Sequence, residues 1–293
     1  MQDLVTGAAE RARAFYDYGK TVIFASSADP RLHMLLYVPP QAATKPVDLL
    51  VAIHGTGRTS GIEFRDGFAE FGLYNDFAVL CPIFPVNLFG DGDRSGYKYM
   101  EEGDIRYDLA VLAMVEEVSK KYQQDWSKFA MFGFSGGGQF THRFAILHPE
   151  HLWAASVGAP GSVTLLDTDR DWWVGVRDLE TRFGRPFNLE ALKRVPVHMV
   201  VGAADLETWE ITHHPGGKYF MEGANDAGTT RPERLQTLAN SFREAGVDVT
   251  LHIVPGVAHS RMEVLGHVKD FLLKVKGQRQ QENEELNDCS AAA

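Results

Sequence analysis

The sequence predicts an α/β fold, in which a doubly wound, mostly parallel sheet carries an inserted helical cap. Continuous apolar runs of strand length alternate with runs of helical period along most of the chain, which is typical of a parallel sheet whose connections are helices. Several of these apolar runs end in short turns that contain glycine and a polar residue. A hydrophobic fraction of 44% and a charged fraction of 23% are ordinary for a globular protein.

The elements follow in order from an N-terminal helix over residues 1–20 and an antiparallel edge hairpin formed by residues 21–25 and 32–38. Buried strands are then predicted at residues 48–53, 77–82, 128–132, 152–157, 197–201 and 247–254. Helices are predicted at residues 64–73, 101–122, 139–147, 232–245 and 260–276.

Residues 162–195 interrupt this alternation. They contain two tryptophans and many charges, offer no strand, and are too long for an ordinary connection. We therefore expect an inserted cap there, between the two parts of the core at residues 32–161 and 196–276. Residues 1–31 add the N-terminal helix and edge strand, and the polar residues 277–293 are expected to be a disordered tail.

Composition excludes several classes of function. The net charge is −10, from 29 basic and 39 acidic residues, which argues against nucleic acid or an anionic membrane as a partner. No apolar run approaches the roughly 20 residues that span a bilayer, and the first residues lack the pattern of a signal peptide. The only cysteines, Cys81 and Cys289, show no metal-ligand spacing. We expect a cytoplasmic enzyme with a small-molecule substrate and neither metal nor cofactor.

The sequence Gly133-Phe134-Ser135-Gly136-Gly137 has the form Gly-x-Ser-x-Gly and lies between a predicted strand and a predicted helix. A serine on so sharp a turn adopts a strained backbone, and side chains two residues away on either side would collide. Glycine at those two positions removes the collision. The context therefore predicts a nucleophile elbow, with Ser135 as the nucleophile.

A serine hydroxyl needs a base beside it, and the base needs a third group that holds one tautomer. Asp205 and His259 follow the last two predicted strands, and His54 follows the strand at residues 48–53. Because ligands of doubly wound sheets bind beyond the carboxyl ends of the strands, these side chains and Ser135 are expected at one edge.

The chain resembles the serine hydrolases of the α/β-hydrolase fold, with features of the esterase and polyester-depolymerase branch. The motifs that carry the resemblance are His54-Gly55-Thr56-Gly57, the elbow, Val201-Gly202-Ala203-Ala204-Asp205 and Gly256-Val257-Ala258-His259. It covers residues 32–273, and the order serine, acid, histidine matches that fold. The resemblance implies that the acid follows the strand before the last, which is Asp205.

Alternatives exist for both partners of the serine. For the acid they are Glu207, Asp167 and Asp169. The histidines after Asp205, other than His259, are His213, His214, His252 and His267. We favour His259 because it lies on a loop just past the last strand.

Two backbone N–H groups are expected to bind the oxyanion, one from Gly136 and one from Thr56, or from Gly57 if the loop is rotated. His54 itself is interpreted as a structural residue. Phe134, Trp172 and Trp173 are candidates for an apolar wall over the serine.

The sequence thus predicts ester hydrolysis through an acyl-enzyme. Amide, lactone or carbon–carbon bond cleavage by the same residues is the alternative reaction. A non-catalytic protein that binds small molecules is the alternative of a different class.

Overall fold

The computed structural model describes residues 7, 11–12 and 15–291. Strands alternate with helices after an antiparallel start. The strands are β1 (Gly19–Lys20), β2 (Phe24–Ala25), β3 (His33–Val38), β4 (Asp48–Ile53), β5 (Phe77–Ile83), β6 (Glu101–Glu102), β7 (Ile105–Arg106), β8 (Phe129–Phe134), β9 (Leu152–Gly158), β10 (Val197–Gly202) and β11 (Val249–Val254). The helices are α1 (Ser60–Asn75), α2 (Tyr107–Tyr122), α3 (Gly136–Leu147), α4 (Leu179–Phe183), α5 (Leu189–Leu192), α6 (Arg231–Glu244) and α7 (Leu265–Ala291).

Nine strands of the described residues form one mixed sheet in the order β1-β3-β5-β4-β8-β9-β10-β11, with β2 also paired to β3. The pairs from β5 to β11 are parallel, whereas β3 is antiparallel to β5. The register places Ile53 beside Gly133 and Phe134 beside Gly158. The carboxyl ends of β4, β8 and β9 therefore lie next to one another.

Burial explains why the apolar runs form the centre of this sheet. Every residue of β8 is buried, as is every residue of α3, the helix that follows it. A strand covered on both faces needs a continuous apolar run rather than an alternating one. The turn between β8 and α3 is consequently anchored at both of its ends by buried structure.

At the N-terminus, the predicted helix falls mostly outside the described residues, and Gly19–Lys20 form a strand rather than its last turn. The predicted hairpin is present, but only Phe24–Ala25 of its first strand pair with β3. The helix predicted from residue 101 begins at Tyr107, because Glu101–Glu102 and Ile105–Arg106 pair as a small hairpin.

Residues 162–195 differ from the helical cap that we expected. They are mostly irregular, and their only helices, within these described residues, are the short α4 and α5. Trp172 and Trp173 are buried. The segment is tied to α3, since the Thr164 N–H donates to His142 Nε2 at 2.9 Å and the Arg143 Nε–H donates to Thr164 Oγ1 at 2.9 Å. These contacts make it part of the packed body.

The tail also differs from expectation, because α7 continues past Gly277 to Ala291. Its first turns bury Val268, Leu272 and Val275 against the core, and this packed start can propagate a helix through residues that favour one. The Arg279 guanidinium pairs with Asp48 at 3.2 Å. No helix of the described residues has the length and apolarity that a bilayer crossing requires.

Candidate active site

Ser135 occupies a strained backbone conformation with positive φ at the junction of β8 and α3, with φ 59° and ψ −117°. For a residue with a side chain this conformation stores about 1–3 kcal/mol of strain. Two hydrogen bonds hold it there. The Ser135 N–H donates to the Gly158 carbonyl at 2.8 Å, and the Ser135 carbonyl accepts from the Gln139 N–H at 3.0 Å. The predicted elbow is therefore the conformation that the chain adopts.

The glycines around Ser135 are required by close packing. A Cβ on Gly133 would lie 2.6 Å from Thr141 Oγ1 and would overlap the Gly137 carbonyl. A Cβ on Gly137 would overlap the Ile53 carbonyl at the end of β4. Contacts this short force the surrounding structure to move, so only glycine fits either position.

Asp205 and His259 meet beyond the ends of β10 and β11. His259 Nδ1 lies 2.5 Å from Asp205 Oδ2, and the Asp205 side chain is fully buried. Because a carboxylate only accepts hydrogen bonds, Nδ1 carries the imidazole proton and Nε2 is left with its lone pair. An imidazole in this tautomer can accept the proton of a serine hydroxyl.

A buried arginine that sequence reasoning missed fixes the other side of this carboxylate. The Arg231 guanidinium, 2% exposed, donates to Asp205 Oδ1 at 3.0 Å and to Glu210 Oε2 at 2.8 Å. Asp205 therefore uses one oxygen for His259 and the other for Arg231. Charge-assisted bonds on both oxygens define the rotation of the carboxylate.

The alternative acids and bases lie elsewhere. Glu207 is exposed in the loop after β10, and the structure pairs Asp205 rather than Glu207 with His259. Asp167 and Asp169 form a turn within residues 162–195, where the Asp169 N–H donates to Asp167 Oδ1 at 2.8 Å.

Three of the alternative histidines have other partners, and the fourth, His214, lies in the loop after β10, where its carbonyl accepts from the Gly217 N–H at 3.0 Å. The His213 ring packs on Trp173, and His252 Nδ1 lies 2.9 Å from His198 Nε2. The His267 ring packs against His252.

The two predicted oxyanion donors lie side by side. A Cβ built on Gly136 would be 3.1 Å from the Thr56 nitrogen, and one on Gly55 would be 3.6 Å from Ser135 Cβ. The turn after β4 therefore runs directly against the elbow. Its glycine allows this approach, which brings the backbone nitrogen of Thr56 close to Gly136 and the serine.

His54 holds that turn in place. The Phe84 N–H donates to His54 Nε2 at 3.0 Å, so the ring proton is on Nδ1, which donates to the Gly55 carbonyl at 2.8 Å. Burial, with a smaller contribution from the Arg58 charge, lowers the pKa of His54 to about 3. His54 is thus neutral at physiological pH and supports the turn. The Arg58 guanidinium, which sequence reasoning also missed, donates to the Thr56 carbonyl at 2.5 Å and to the Phe84 carbonyl at 2.9 Å.

Ser135 and His259 open into one cavity of about 170 Å³. Its other lining residues are Gly55, Thr56, Gly57, Thr59, Ser60, Phe134, Glu210 and Arg261. The predicted Phe134 is therefore at the site, with its ring centroid 4.9 Å from that of His259. Trp172 and Trp173 instead line a separate cavity of about 400 Å³ with Tyr99 and Tyr219. Glu210 and Arg261 carry no motif that could have identified them from sequence.

Two groups of side chains in the described part of the chain have a geometry that could hold a cation. One comprises Asp91, Asp93 and Glu102, and the other comprises His148, Glu150 and His151. In the first group, Lys218 already pairs with Asp91 and Asp93. Neither group includes Ser135, Asp205 or His259.

No protein-family model matches the chain. A search of characterised proteins finds feruloyl esterase B of Neurospora crassa, which is 32% identical over 126 residues, covering 41% of this chain and 40% of that protein. The alignment thus spans less than half of the length of this relative, and the same holds for two acetylxylan esterases and a poly(3-hydroxyalkanoate) depolymerase.

Solved structures extend the likeness to most of the chain. Poly(aspartic acid) hydrolase-1 of Sphingomonas sp. KT-1 superposes with a TM-score of 0.70 at 22% identity, covering 86% of this chain and 97% of that one. A poly(3-hydroxybutyrate) depolymerase of Bordetella parapertussis superposes with a TM-score of 0.67 at 19% identity, covering 83% of this chain and 85% of that one. With the strand order and the strained serine between β8 and α3, these likenesses establish that the chain has the α/β-hydrolase fold.

Proposed function

We propose that this chain is a serine hydrolase that cleaves ester bonds of small substrates through an acyl-enzyme. The observation that carries the proposal is the 2.5 Å contact between His259 Nδ1 and the buried Asp205, at a cavity that Ser135 and His259 share. A tautomer fixed in this way leaves a base at the cavity into which the partly exposed Ser135 opens. The reaction needs no cofactor.

In the first half of the reaction, Ser135 Oγ attacks the ester carbonyl carbon while His259 Nε2 takes the hydroxyl proton. Negative charge develops on the carbonyl oxygen, and the N–H groups of Gly136 and Thr56 donate to it. The tetrahedral intermediate then collapses. The bond to the alcohol oxygen breaks, His259 returns the proton to that oxygen, and the acyl group stays on Ser135.

In the second half, a water molecule takes the place of the alcohol. His259 Nε2 removes a proton from the water as its oxygen attacks the acyl carbon, and the oxyanion again forms beside Gly136. Collapse breaks the bond to Ser135 Oγ, which recovers its proton from His259 and releases the carboxylic acid. Asp205 stabilises the imidazolium in both halves.

The size of the cavity indicates that the substrate group bound next to Ser135 is a short acyl or alcohol group. A cavity of about 170 Å³ is smaller than the roughly 300–1,000 Å³ that encloses a drug-sized ligand. The reacting part of the substrate would fit, with any longer remainder outside. Ester cleavage is also what the names of the esterase and depolymerase relatives suggest for this chain.

The test is a panel of short esters, including p-nitrophenyl acetate, methyl ferulate and a methyl 3-hydroxybutyrate ester, with Ser135→Ala as the control. We expect the wild-type chain to release acid from at least one ester and the variant to release none above background. Equal release by both proteins, or none by the wild type from any member, would contradict the proposal.

A further inference from the structure

Lys98 is a buried lysine beside the elbow that the reaction described above does not use. It lies in the 3₁₀ turn Gly96–Tyr99 and is 8% exposed. Its ammonium donates to Ser95 Oγ at 3.2 Å. Among the described residues no carboxylate forms an ion pair with it. Burying a cation without such a partner is unfavourable, so the charge is expected to have a function.

The position of Lys98 points to the oxyanion side of the site. Its Cε lies 3.0 Å from where a Cβ on Gly136 would be, and the Thr56 nitrogen lies 3.1 Å from the same point. The lysine stem therefore lies close to both predicted oxyanion donors, Gly136 of the elbow and Thr56 of the turn after β4. The Lys98 carbonyl accepts from Arg143 Nη1 at 2.6 Å, and this bond anchors the 3₁₀ turn Gly96–Tyr99 to α3.

Charged groups on several elements surround the ammonium. Glu210, on the active-site cavity, and Asp93 favour its protonated form, whereas Arg58 and Arg143 oppose it. Burial is the largest influence, and the net result lowers the pKa of Lys98 to about 8. The side chain is therefore mostly charged at pH 7 and neutral well above pH 8.

We propose that the Lys98 ammonium supplies the fixed positive charge that stabilises the oxyanion held by Gly136 and Thr56. The inference rests on the proposed function. Lys98 is a positioning residue, because it acts through the field at the Gly136 turn and not by touching the substrate. A charge held in a site with little water is felt strongly there, and it needs no reorganisation when the oxyanion forms.

The test compares Lys98→Met and Lys98→Arg with the wild type, using kcat per fluorophosphonate-titrated site across pH 7 to 9.5. The exposed Lys45→Met is the matched control. We expect wild-type kcat to fall as pH rises through about 8. Lys98→Met should be roughly 10- to 50-fold slower at pH 7 with no such fall. Lys98→Arg, which keeps its charge, should also lack the fall, and Lys45→Met should behave as wild type.

Melting temperature separates this role from a structural one. Removing an unpaired buried charge should leave the melting temperature of Lys98→Met no lower than that of wild type, although kcat drops. A wild-type kcat in Lys98→Met would overturn the inference. So would an alkaline fall that persists in Lys98→Arg, or an effect confined to KM for anionic esters. A wild type that hydrolyses no ester would contradict the proposed function itself, and this result differs from the ones that contradict only the role of Lys98.

Discussion

The Asp205→Asn substitution tests the acid–base pair with almost no change in shape. In the structure, Asp205 Oδ1 accepts from Arg231 at 3.0 Å and Oδ2 accepts from His259 Nδ1 at 2.5 Å. An asparagine must keep its amide oxygen toward Arg231, which can only donate. Its NH₂ group then faces His259 Nδ1. The imidazole is forced to place its proton on Nε2, where it can no longer accept the serine proton.

The size of the effect follows from this tautomer change. Holding the wrong tautomer in a comparable triad lowers kcat on the order of 10⁴-fold, which corresponds to about 5.5 kcal/mol of activation free energy. We expect a loss of that order for Asp205→Asn with a small activated ester, with KM changed much less. The assay is steady-state hydrolysis of p-nitrophenyl acetate at pH 7.5, with far-ultraviolet circular dichroism to confirm folding.

Glu207→Gln is the matched control, because Glu207 lies in the same loop, is exposed, and is the alternative acid nearest in sequence. It should retain the wild-type kcat. A near-wild-type rate in Asp205→Asn, or a large loss in Glu207→Gln, would refute the assignment of Asp205.

Three further results are expected. Burial lowers the pKa of both His54 and His198 to about 3, so the unfolded chain binds more protons below pH 6.5. These two histidines should together lower the free energy of unfolding by roughly 3 kcal/mol from pH 7.5 to 5.5, about half from each, and a fall in His198→Gln as large as that of the wild type would contradict this. In Gly137→Ala the new Cβ would overlap a β4 carbonyl, so the free energy of unfolding measured in urea should fall by about 3 kcal/mol or more. Gly266→Ala is the control, because Gly266 has open space around it, and its free energy of unfolding should show no such fall. Trp173→Ala should lower the free energy of unfolding by about 3–5 kcal/mol and leave the preference among esters unchanged. A changed preference would show instead that Trp173 lies at the active site.

The sheet and the elbow could be predicted because their signals are local. An apolar run such as Asp48–Ile53 reports burial on both faces directly. The two glycines that flank Ser135 report a steric requirement that the structure contains as close contacts with neighbouring backbone. Asp205 and His259 both follow strands of the same parallel sheet, and the resemblance to the α/β-hydrolases is what favours Asp205 over the other acids.

Residues that support the site through long-range contacts could not be predicted in this way. Arg231 reaches Asp205 from α6, 26 positions along the chain, and no spacing rule marks it. Lys98 lies in a short 3₁₀ turn, Gly96–Tyr99, between β5 and β6, and its burial beside the elbow depends on tertiary packing. Trp172 and Trp173 are predicted in the wall over the serine because they lie in the insertion, but the structure places them at a different cavity. The tail after Gly277 has polar residues, but a packed helix precedes it and continues through it.

The central claim is that Ser135 is an activated nucleophile. Labelling of wild type and Ser135→Ala with a fluorophosphonate probe, followed by intact-mass measurement, tests it most directly, because the probe reacts with a serine whose proton a neighbouring base can take. We expect one adduct on the wild type and none on the variant. An unlabelled wild type, or a variant that still carries one adduct, would contradict the claim.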